Sequence, residues 1–331
     1  MLIKSYLPPC ILTNEDLAHE YNDPKWSASM IYRKTGIQSR HVVEEELVSD
    51  LAVKAAESLL AEYKIARDSI DFLVLCTQSP DYFLPTTACI VQHRLELPTH
   101  TGAFDFNLGC SGFIYGLAIC KGLLLSEIAS NVLLIMSETY SRYVHPMDKS
   151  TRTIFGDAAS AIFLAHEDIK RIGQCILGSD GSGAGNLIVP AGGRMLPRSA
   201  SSFRQEIDAS GNVRTQEHIY MNGPEIFSFT LRVVPDLVND TLRQNGLNLD
   251  DIDFFIFHQA NRYILETLRE KMDIPSNKFC IDMANTGNTV SATIPLALQN
   301  AIERNLIHKG SKVLLVGFGV GYSWGATVLS L

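Results

Sequence analysis

Short apolar runs alternate along this chain with longer stretches that carry helical periodicity. The strand-length runs include Phe72–Cys76, Asn131–Ile135, Phe254–Phe257 and Lys312–Val316. Continuous apolar runs of this length are typical of strands that are buried on both faces. The alternation with helices favours an α/β fold with mainly parallel sheets. The predicted helices cover Val53–Tyr63, Ser111–Leu125, Pro224–Gln244 and Thr293–Asn305.

The chain also repeats its own pattern. The segment Asp68–Cys76 resembles Asp250–His258 almost residue for residue, and Asn131–Ile135 resembles Lys312–Val316 at nearly the same offset. Between these, Ala103–Asn107 has a counterpart in Cys280–Ala284, so we expect a strand in both places. A chance likeness of short apolar strands is the alternative. The repeat predicts two α/β halves of similar plan, residues 1–168 and 169–331.

Composition narrows the function. The chain has 331 residues and a formal net charge of −8, which argues against a general nucleic-acid surface. No run of 18 apolar residues and no signal peptide are evident, so we expect a cytoplasmic protein without a membrane span. Seven scattered cysteines without a Cys-x-x-Cys pair make a disulfide framework or a zinc site improbable, and we expect reduced thiols.

The residues that follow the predicted strands are the candidates for chemistry, because ligands of open α/β sheets bind at the carboxyl ends of strands. Cys110 follows a strand and a glycine turn and precedes an apolar helix, where the helix dipole favours a thiolate. His258 and Asn288 offer hydrogen-bond donors that could point at one oxygen. Taken singly, His258 could be a core residue and Asn288 a turn residue.

A glycine-rich run, residues 317–325, lies near the C-terminal end. It contains too much glycine for an ordinary strand, which predicts bulges or bends. The functional alternative is an exposed backbone amide that completes an oxyanion hole.

Together these residues resemble the β-ketoacyl-acyl-carrier-protein synthase III family. The resemblance runs in order over most of the chain, which makes it more specific than any single motif. The matching segments are Ser5-Tyr6-Leu7-Pro8, Lys34-Thr35-Gly36-Ile37, Arg40-His41, Gly109-Cys110-Ser111-Gly112-Phe113, Phe155-Gly156-Asp157-Ala158-Ala159, His258-Gln259-Ala260-Asn261, Gly287-Asn288-Thr289 and Trp324-Gly325.

The resemblance implies a duplicated thiolase-like fold, layered αβαβα, and a homodimer. It implies that Cys110 takes an acyl group from a thioester, and that His258 and Asn288 stabilise the enolate formed when a malonyl thioester loses carbon dioxide. The backbone amides of Cys110 and Val320 would hold the oxyanion. Acyl-CoA and an acyl carrier protein are the implied partners, and no cofactor or metal is expected. The implied substrate-binding residues are Lys34, Lys149, Phe155, Asn261 and Leu84.

Several positions depart from the family's usual pattern and point to a specialised paralogue. Met30 and Lys34 stand where Trp and Arg commonly clamp the adenine of CoA, and lysine cannot bind in the same bidentate way. Leu84 stands where a bulkier Phe usually reaches the partner's acyl pocket, which predicts room for a longer acyl group. The other departures are Pro224, Ser228, Tyr263 and Glu270, which lie where carrier- or pantetheine-binding residues are common.

Three other functions remain open from the sequence. One is an acyltransferase that moves the Cys110-bound acyl group to an oxygen or nitrogen acceptor. The second is a cysteine hydrolase with Cys110 and His258 as a dyad, and the third is a binding protein without catalysis. The Ser-rich stretch Arg194–Thr215 is interpreted as a mobile loop that shapes the substrate entrance, and Gly178–Gly185 as a turn near the cleft.

Overall fold

The computed structural model describes all residues, 1–331, as two large β-sheets separated and covered by helices. The helices are α1 (Asn14–Tyr21), α2 (Ala28–Thr35), α3 (Val48–Tyr63), α4 (Thr87–Arg94), α5 (Gly112–Leu125), α6 (Lys149–Arg152), α7 (Gly223–Gln244), α8 (Arg262–Lys271) and α9 (Thr293–Glu303). The strands are β1 (Leu2–Tyr6), β2 (Ile11–Thr13), β3 (Ser39–His41), β4 (Phe72–Cys76), β5 (Gly102–Phe106), β6 (Asn131–Glu138), β7 (Ala158–Ala165), β8 (Ile176–Ser179), β9 (Leu187–Ile188), β10 (Glu206–Ile207), β11 (Val213–Arg214), β12 (Tyr220–Met221), β13 (Phe254–Phe257), β14 (Lys312–Gly319) and β15 (Ser323–Ser330).

The first sheet has the order β1-β7-β6-β4-β5, and the second has the order β13-β14-β15-β8. In the first, β4 pairs in parallel with β5 and β6, whereas β7 is antiparallel to both of its neighbours. In the second, β13 and β14 are parallel and the remaining pairs are antiparallel. Both sheets are therefore mixed, and their three parallel and four antiparallel pairs show that parallel pairing does not predominate as the alternation of strands and helices had suggested. The boundary proposed at residue 168 lies between the strands of the two sheets and stays a prediction about domain organisation.

Three hydrophobic cores fix the layers. The central core packs α5 and α9 between the two sheets, with residues such as Leu117, Leu134, Leu298 and Leu315. A second core lies between the first sheet and α3 and α4, and a third between the second sheet and α7 and α8. The αβαβα prediction is confirmed. Helix α5 is apolar on nearly every face because sheets contact it on both sides.

Two predicted elements differ from the structure. Helix α3 begins at Val48 rather than Val53, because the Asp50 carboxylate accepts the Leu47 N–H at 2.7 Å and closes the first turn. The segment 280–284 is not a strand, so the repeat is incomplete there. The Cys280 N–H still reaches Phe255 O at 2.9 Å, but the Asp282 N–H donates to the side chain of Gln259 at 2.7 Å. The backbone thus leaves the sheet after one bridge.

The helices of the structure give no candidate for a membrane crossing, since none combines the required length with sufficient apolar character.

Candidate active site

Cys110 lies in the tight connection between β5 and α5, and it is only 5% exposed. The Gly112 N–H donates to Gly109 O at 2.7 Å and closes the turn around the cysteine. The Ser111 and Ser323 hydroxyls are 2.6 Å apart, which joins this turn to β15 of the other sheet. The position of the thiol is therefore set by contacts from both halves of the chain.

The glycine-rich run passes directly against Cys110. A Cβ atom added at Gly319 would lie 2.7 Å from Cys110 Cβ and 3.0 Å from Sγ, and one at Gly317 would lie 2.8 Å from Ser111 Cα. The prediction of bulges or bends is wrong for these two residues, because both lie in regular pairing within β14, opposite Gly325 and Ser323. The glycines are required by close approach, not by an irregular backbone.

The thiol of Cys110 is more weakly acidic than its position before α5 suggested. Burial raises its pKa to about 12, with a smaller contribution from the nearby carboxyl of Glu138. The backbone amides of Cys110 and Val320 hydrogen-bond to the sulfur and lower the pKa, but they do not outweigh burial. Burial therefore opposes the thiolate that the position before α5 favours. These two amides nevertheless point at the reacting centre, as an oxyanion hole requires.

His258 and Asn288 come together from two separate connections. His258 follows β13 and donates its N–H to Val316 O at 2.8 Å, and it is 2% exposed. The Asn288 N–H donates to Ile154 O at 2.9 Å, and its side-chain Oδ1 accepts the Val290 N–H at 2.9 Å. Because Oδ1 is occupied, Nδ2 faces the imidazole, 3.5 Å from His258 Nε2.

The hydroxyl of Thr293 contacts the imidazole. It lies 2.7 Å from His258 Nδ1 and 2.9 Å from Val290 O, and either atom can accept its one proton, so both ring tautomers fit this geometry. When the hydroxyl donates to Nδ1, Nε2 carries the ring proton and is an N–H donor. Burial lowers the pKa of His258 to about 3, so the ring is neutral. Asn288 Nδ2 and His258 Nε2 are then two neutral donors side by side.

The three residues line one narrow cavity of about 80 Å³. Phe155 and Asn261, two of the predicted substrate-binding residues, also line it. Asn261 caps α8 through its side chain, which accepts the Ile264 N–H at 2.9 Å. The other lining residues are Ile154, Leu187, Met221, Gly223, Ile226, Ala260, Ile264, Phe318 and Gly319.

A larger cavity of about 400 Å³ adjoins the same site and shares Leu187 with the first. Val320, Tyr140 and Gln78 line it, and the Tyr140 hydroxyl donates to Gln78 Oε1 at 2.8 Å. Arg198, from the stretch predicted to shape the entrance, also lines it. The predicted turn at Gly178–Gly185 becomes the end of β8 and a 3-10 turn, Gly181–Asn186.

The remaining predicted substrate-binding residues lie outside these two cavities. Lys34 is exposed, with its Nζ 4.0 Å from the ring centroid of Trp26, and Lys149 pairs with Asp23 at 3.1 Å. Leu84 is 82% exposed. Of the departures from the family pattern, Pro224, Ser228 and Glu270 are exposed, and Tyr263 stacks on Phe227 with 5.3 Å between ring centroids.

Sequence reasoning missed Thr293 and Glu138, whose contacts shape the site. Thr293 was assigned only as the first residue of a predicted helix, and Glu138 only follows an apolar strand. Neither has a motif of its own.

Comparisons with known proteins agree with this geometry. Residues 104–181 match the family model described as 3-oxoacyl-[acyl-carrier-protein (ACP)] synthase III, and residues 242–331 match the model of its C-terminal part. A β-ketoacyl-[acyl-carrier-protein] synthase III of Clostridium tetani is 36% identical, over 98% of this chain and 95% of the relative.

Solved structures give the same result. A 3-oxoacyl-(acyl-carrier-protein) synthase III crystal structure is 49% identical, with a TM-score of 0.96 over 99% of this chain and 98% of that chain. A 3-oxoacyl-(acyl-carrier protein) synthase of Burkholderia xenovorans LB400 is 35% identical, with a TM-score of 0.90 over 100% of this chain and 93% of that chain.

Proposed function

The chain belongs to the 3-oxoacyl-[acyl-carrier-protein] synthase III family of condensing enzymes, and we propose that it joins an acyl thioester to a malonyl thioester through an acyl group on Cys110. The observation that supports this most directly is the convergence of three side chains on one cavity. Cys110, His258 and Asn288 all line it, and the Cys110 and Val320 amides contact the sulfur.

The first step transfers the acyl group to Cys110. The sulfur attacks the carbonyl carbon of the thioester, and the carbonyl oxygen takes negative charge that the Cys110 and Val320 amides stabilise. The carbon–sulfur bond to the donor then breaks. The thiol proton of Cys110 ends on the departing thiol, so the step is balanced without a resident base.

The second step makes the carbon–carbon bond. The malonyl thioester places its carbonyl oxygen between His258 Nε2 and Asn288 Nδ2, and loss of carbon dioxide leaves an enolate whose oxygen accepts both hydrogen bonds. The enolate carbon attacks the acyl carbonyl on Cys110, and the bond to sulfur breaks. The released thiolate takes a proton from water. Decarboxylation supplies the electron pair, so the reaction needs neither a metal nor an organic cofactor.

Acyl-CoA as the donor and an acyl-carrier-protein thioester as the extender are part of this proposal, which places the reaction in the cytoplasm. Lys34 and Lys149 are the proposed contacts of the CoA nucleotide; Lys34 is exposed, and Lys149 is half-buried and would have to exchange its ion pair with Asp23 for a phosphate. The exposed pair Phe83 and Leu84 supports a homodimer, in which Leu84 would reach the partner's acyl cavity.

The test is intact-protein mass after incubation with a panel of acyl-CoA and acyl-carrier thioesters. Wild type should gain one acyl group and the Cys110→Ala variant none. Because Cys89 is exposed, a Cys89→Ser background removes the most accessible competing thiol. A Leu84→Phe variant in the same panel should shift the preferred donor to a shorter chain.

Carbon dioxide release from a malonyl thioester then distinguishes condensation from simple acyl transfer. We expect His258→Ala and Asn288→Ala to accept the acyl group but to lose decarboxylation. A wild-type protein that acylates Cys110 and releases no carbon dioxide with any malonyl thioester would contradict the condensation and favour transfer to another acceptor.

A further inference from the structure

Glu138 is a fully buried carboxyl at the end of β6, close to Cys110 but outside the two cavities. Its Oε1 accepts the Ser291 hydroxyl at 2.8 Å. Its Oε2 accepts the Gln78 N–H at 3.1 Å and the Ser79 hydroxyl at 3.3 Å. Burying a carboxyl costs free energy unless its oxygens are hydrogen-bonded, and these three contacts provide partners for both oxygens.

The bond to Ser291 links opposite halves of the chain. Glu138 ends a strand of the first sheet, whereas Ser291 lies in the short 3-10 turn Val290–Ala292, which leads into α9. The residues are 153 positions apart. This is a direct hydrogen bond between the N-terminal sheet and the turn that follows Asn288.

Residues of this turn, or next to it, make hydrogen bonds with both enolate donors. Asn288 Oδ1 accepts the N–H of Val290, the residue before Ser291, and this bond orients the amide. Thr293, two residues after Ser291, holds His258 through Nδ1. Val290 itself adopts a φ of 55°, a left-handed conformation that a β-branched residue rarely takes. Such a turn needs external contacts to hold it.

Burial favours the neutral form of Glu138, although the three donated hydrogen bonds favour the ionised form. Desolvation raises its pKa to about 8, and the nearby Asp157 carboxyl adds to the rise. At pH 7 the group is therefore mostly a carboxylic acid. An ionised Glu138 would disfavour a thiolate at Cys110, because like charges in a buried region raise each other's pKa.

From these contacts we propose that Glu138 is a positioning residue, which acts through Ser291 to hold the 288–293 turn so that Asn288 and His258 point at the same oxygen. The inference rests on the proposed condensation, because it assigns Glu138 to the decarboxylation step and not to acyl transfer. Misplacing a positioned group by about 1 Å can reduce a rate roughly 10²-fold.

The experiment compares Glu138→Ala with Glu138→Gln in the two half-reactions. In the neutral acid one carboxyl oxygen carries the proton and can donate it to Ser291 Oγ, which then accepts from Glu138 and no longer donates to it. Glutamine reproduces this arrangement, since its NH2 group can donate to Ser291 and its oxygen can accept from Gln78. We expect Glu138→Ala to lower carbon dioxide release by about 10- to 100-fold while acylation of Cys110 changes by less than about 3-fold. Glu138→Gln should restore decarboxylation to within about 3-fold of wild type.

Two readouts separate positioning from a purely structural role: the selective loss of decarboxylation over acylation, and its rescue by Glu138→Gln. Ser291→Ala removes the same hydrogen bond from its other end, and it gives the test if Glu138→Ala fails to fold.

Two results would overturn the inference. One is a folded Glu138→Ala or Ser291→Ala protein with decarboxylation within about 3-fold of wild type. The other is an equal loss of both half-reactions that glutamine does not rescue. Failure of the proposed function itself looks different, because wild type would then show no Cys110 adduct or no carbon dioxide release.

Discussion

Removing the hydroxyl of Thr293 should weaken one of the two enolate donors without changing the residues that line the cavity. In the structure this hydroxyl lies 2.7 Å from His258 Nδ1, inside the protein, and the proposed mechanism requires it to donate to Nδ1, so that Nε2 carries the ring proton. Valine has nearly the same shape and no hydroxyl. In Thr293→Val, Nδ1 has no hydrogen-bond partner in either tautomer, so the preference for a donating Nε2 falls.

The size of the effect follows from one buried hydrogen bond. Such a bond to a neutral group contributes about 0.5–1.5 kcal/mol, and about 1.4 kcal/mol corresponds to a tenfold change in the population of the donating tautomer. Complete loss of one oxyanion donor costs about 10²–10³ in rate, which sets the upper limit. We therefore expect carbon dioxide release to fall roughly 2- to 10-fold, well below that limit.

The assay pairs kinetics with a direct view of the ring. Carbon dioxide release and Cys110 acylation are measured for wild type, Thr293→Val and the control Thr293→Ser, which keeps the hydroxyl. The ¹⁵N chemical shifts of His258 identify the tautomer in each protein. If Thr293→Val shows a deprotonated Nε2 but decarboxylates at the wild-type rate, the role of His258 as a donor is refuted.

Two further predictions concern Cys110 and the strand behind it. Gly319→Ala should slow acylation by about 10-fold or more, since the new methyl group would lie 2.7 Å from Cys110 Cβ and overpacking of this kind costs about 1–3 kcal/mol. Gly181→Ala is the matched control, because a Cβ added there meets nothing within 4 Å. Equal acylation rates of the two variants would contradict the prediction. Because its pKa is raised, Cys110 should react with iodoacetamide more slowly than exposed Cys89 at pH 7. The alkylation rate of Cys110 itself should increase as the pH is raised from 7 to about 8, as peptide mapping would show. A rate of Cys110 that is already constant below pH 7 would mean a resting thiolate.

The sequence identified those site residues whose position follows from the order of the strands. Cys110, His258 and Asn288 could be selected because each follows an apolar segment, and parallel strands bring such ends to one edge of a sheet. Their meeting in one cavity follows from the layered fold. The segment 280–284 could not be separated from a strand, because the amide of Gln259 that captures its backbone is remote in sequence.

The pKa of Cys110 and the close packing around it could be predicted less well from the sequence. The position of Cys110 before α5 suggested that the thiolate is favoured, but the burial that opposes it depends on residues from both sheets. In the same way, Gly317 and Gly319 resembled an irregular segment. Only the distance between β14 and the Cys110 turn shows that a regular strand needs glycine there.

The duplication explains why the site exists only where the two halves meet. The nucleophile belongs to the first sheet, and both enolate donors belong to the connections of the second. Three contacts set the distance between them: the hydroxyls of Ser111 and Ser323, the glycines of β14 against Cys110, and the bond from Glu138 to Ser291. Each half thus supplies groups that are correctly placed only by the other. The interface between the halves is closely packed, so a substitution at one of these contacts shifts the groups next to it by a small distance. Such a shift should slow the half-reaction that uses those groups before it unfolds the protein.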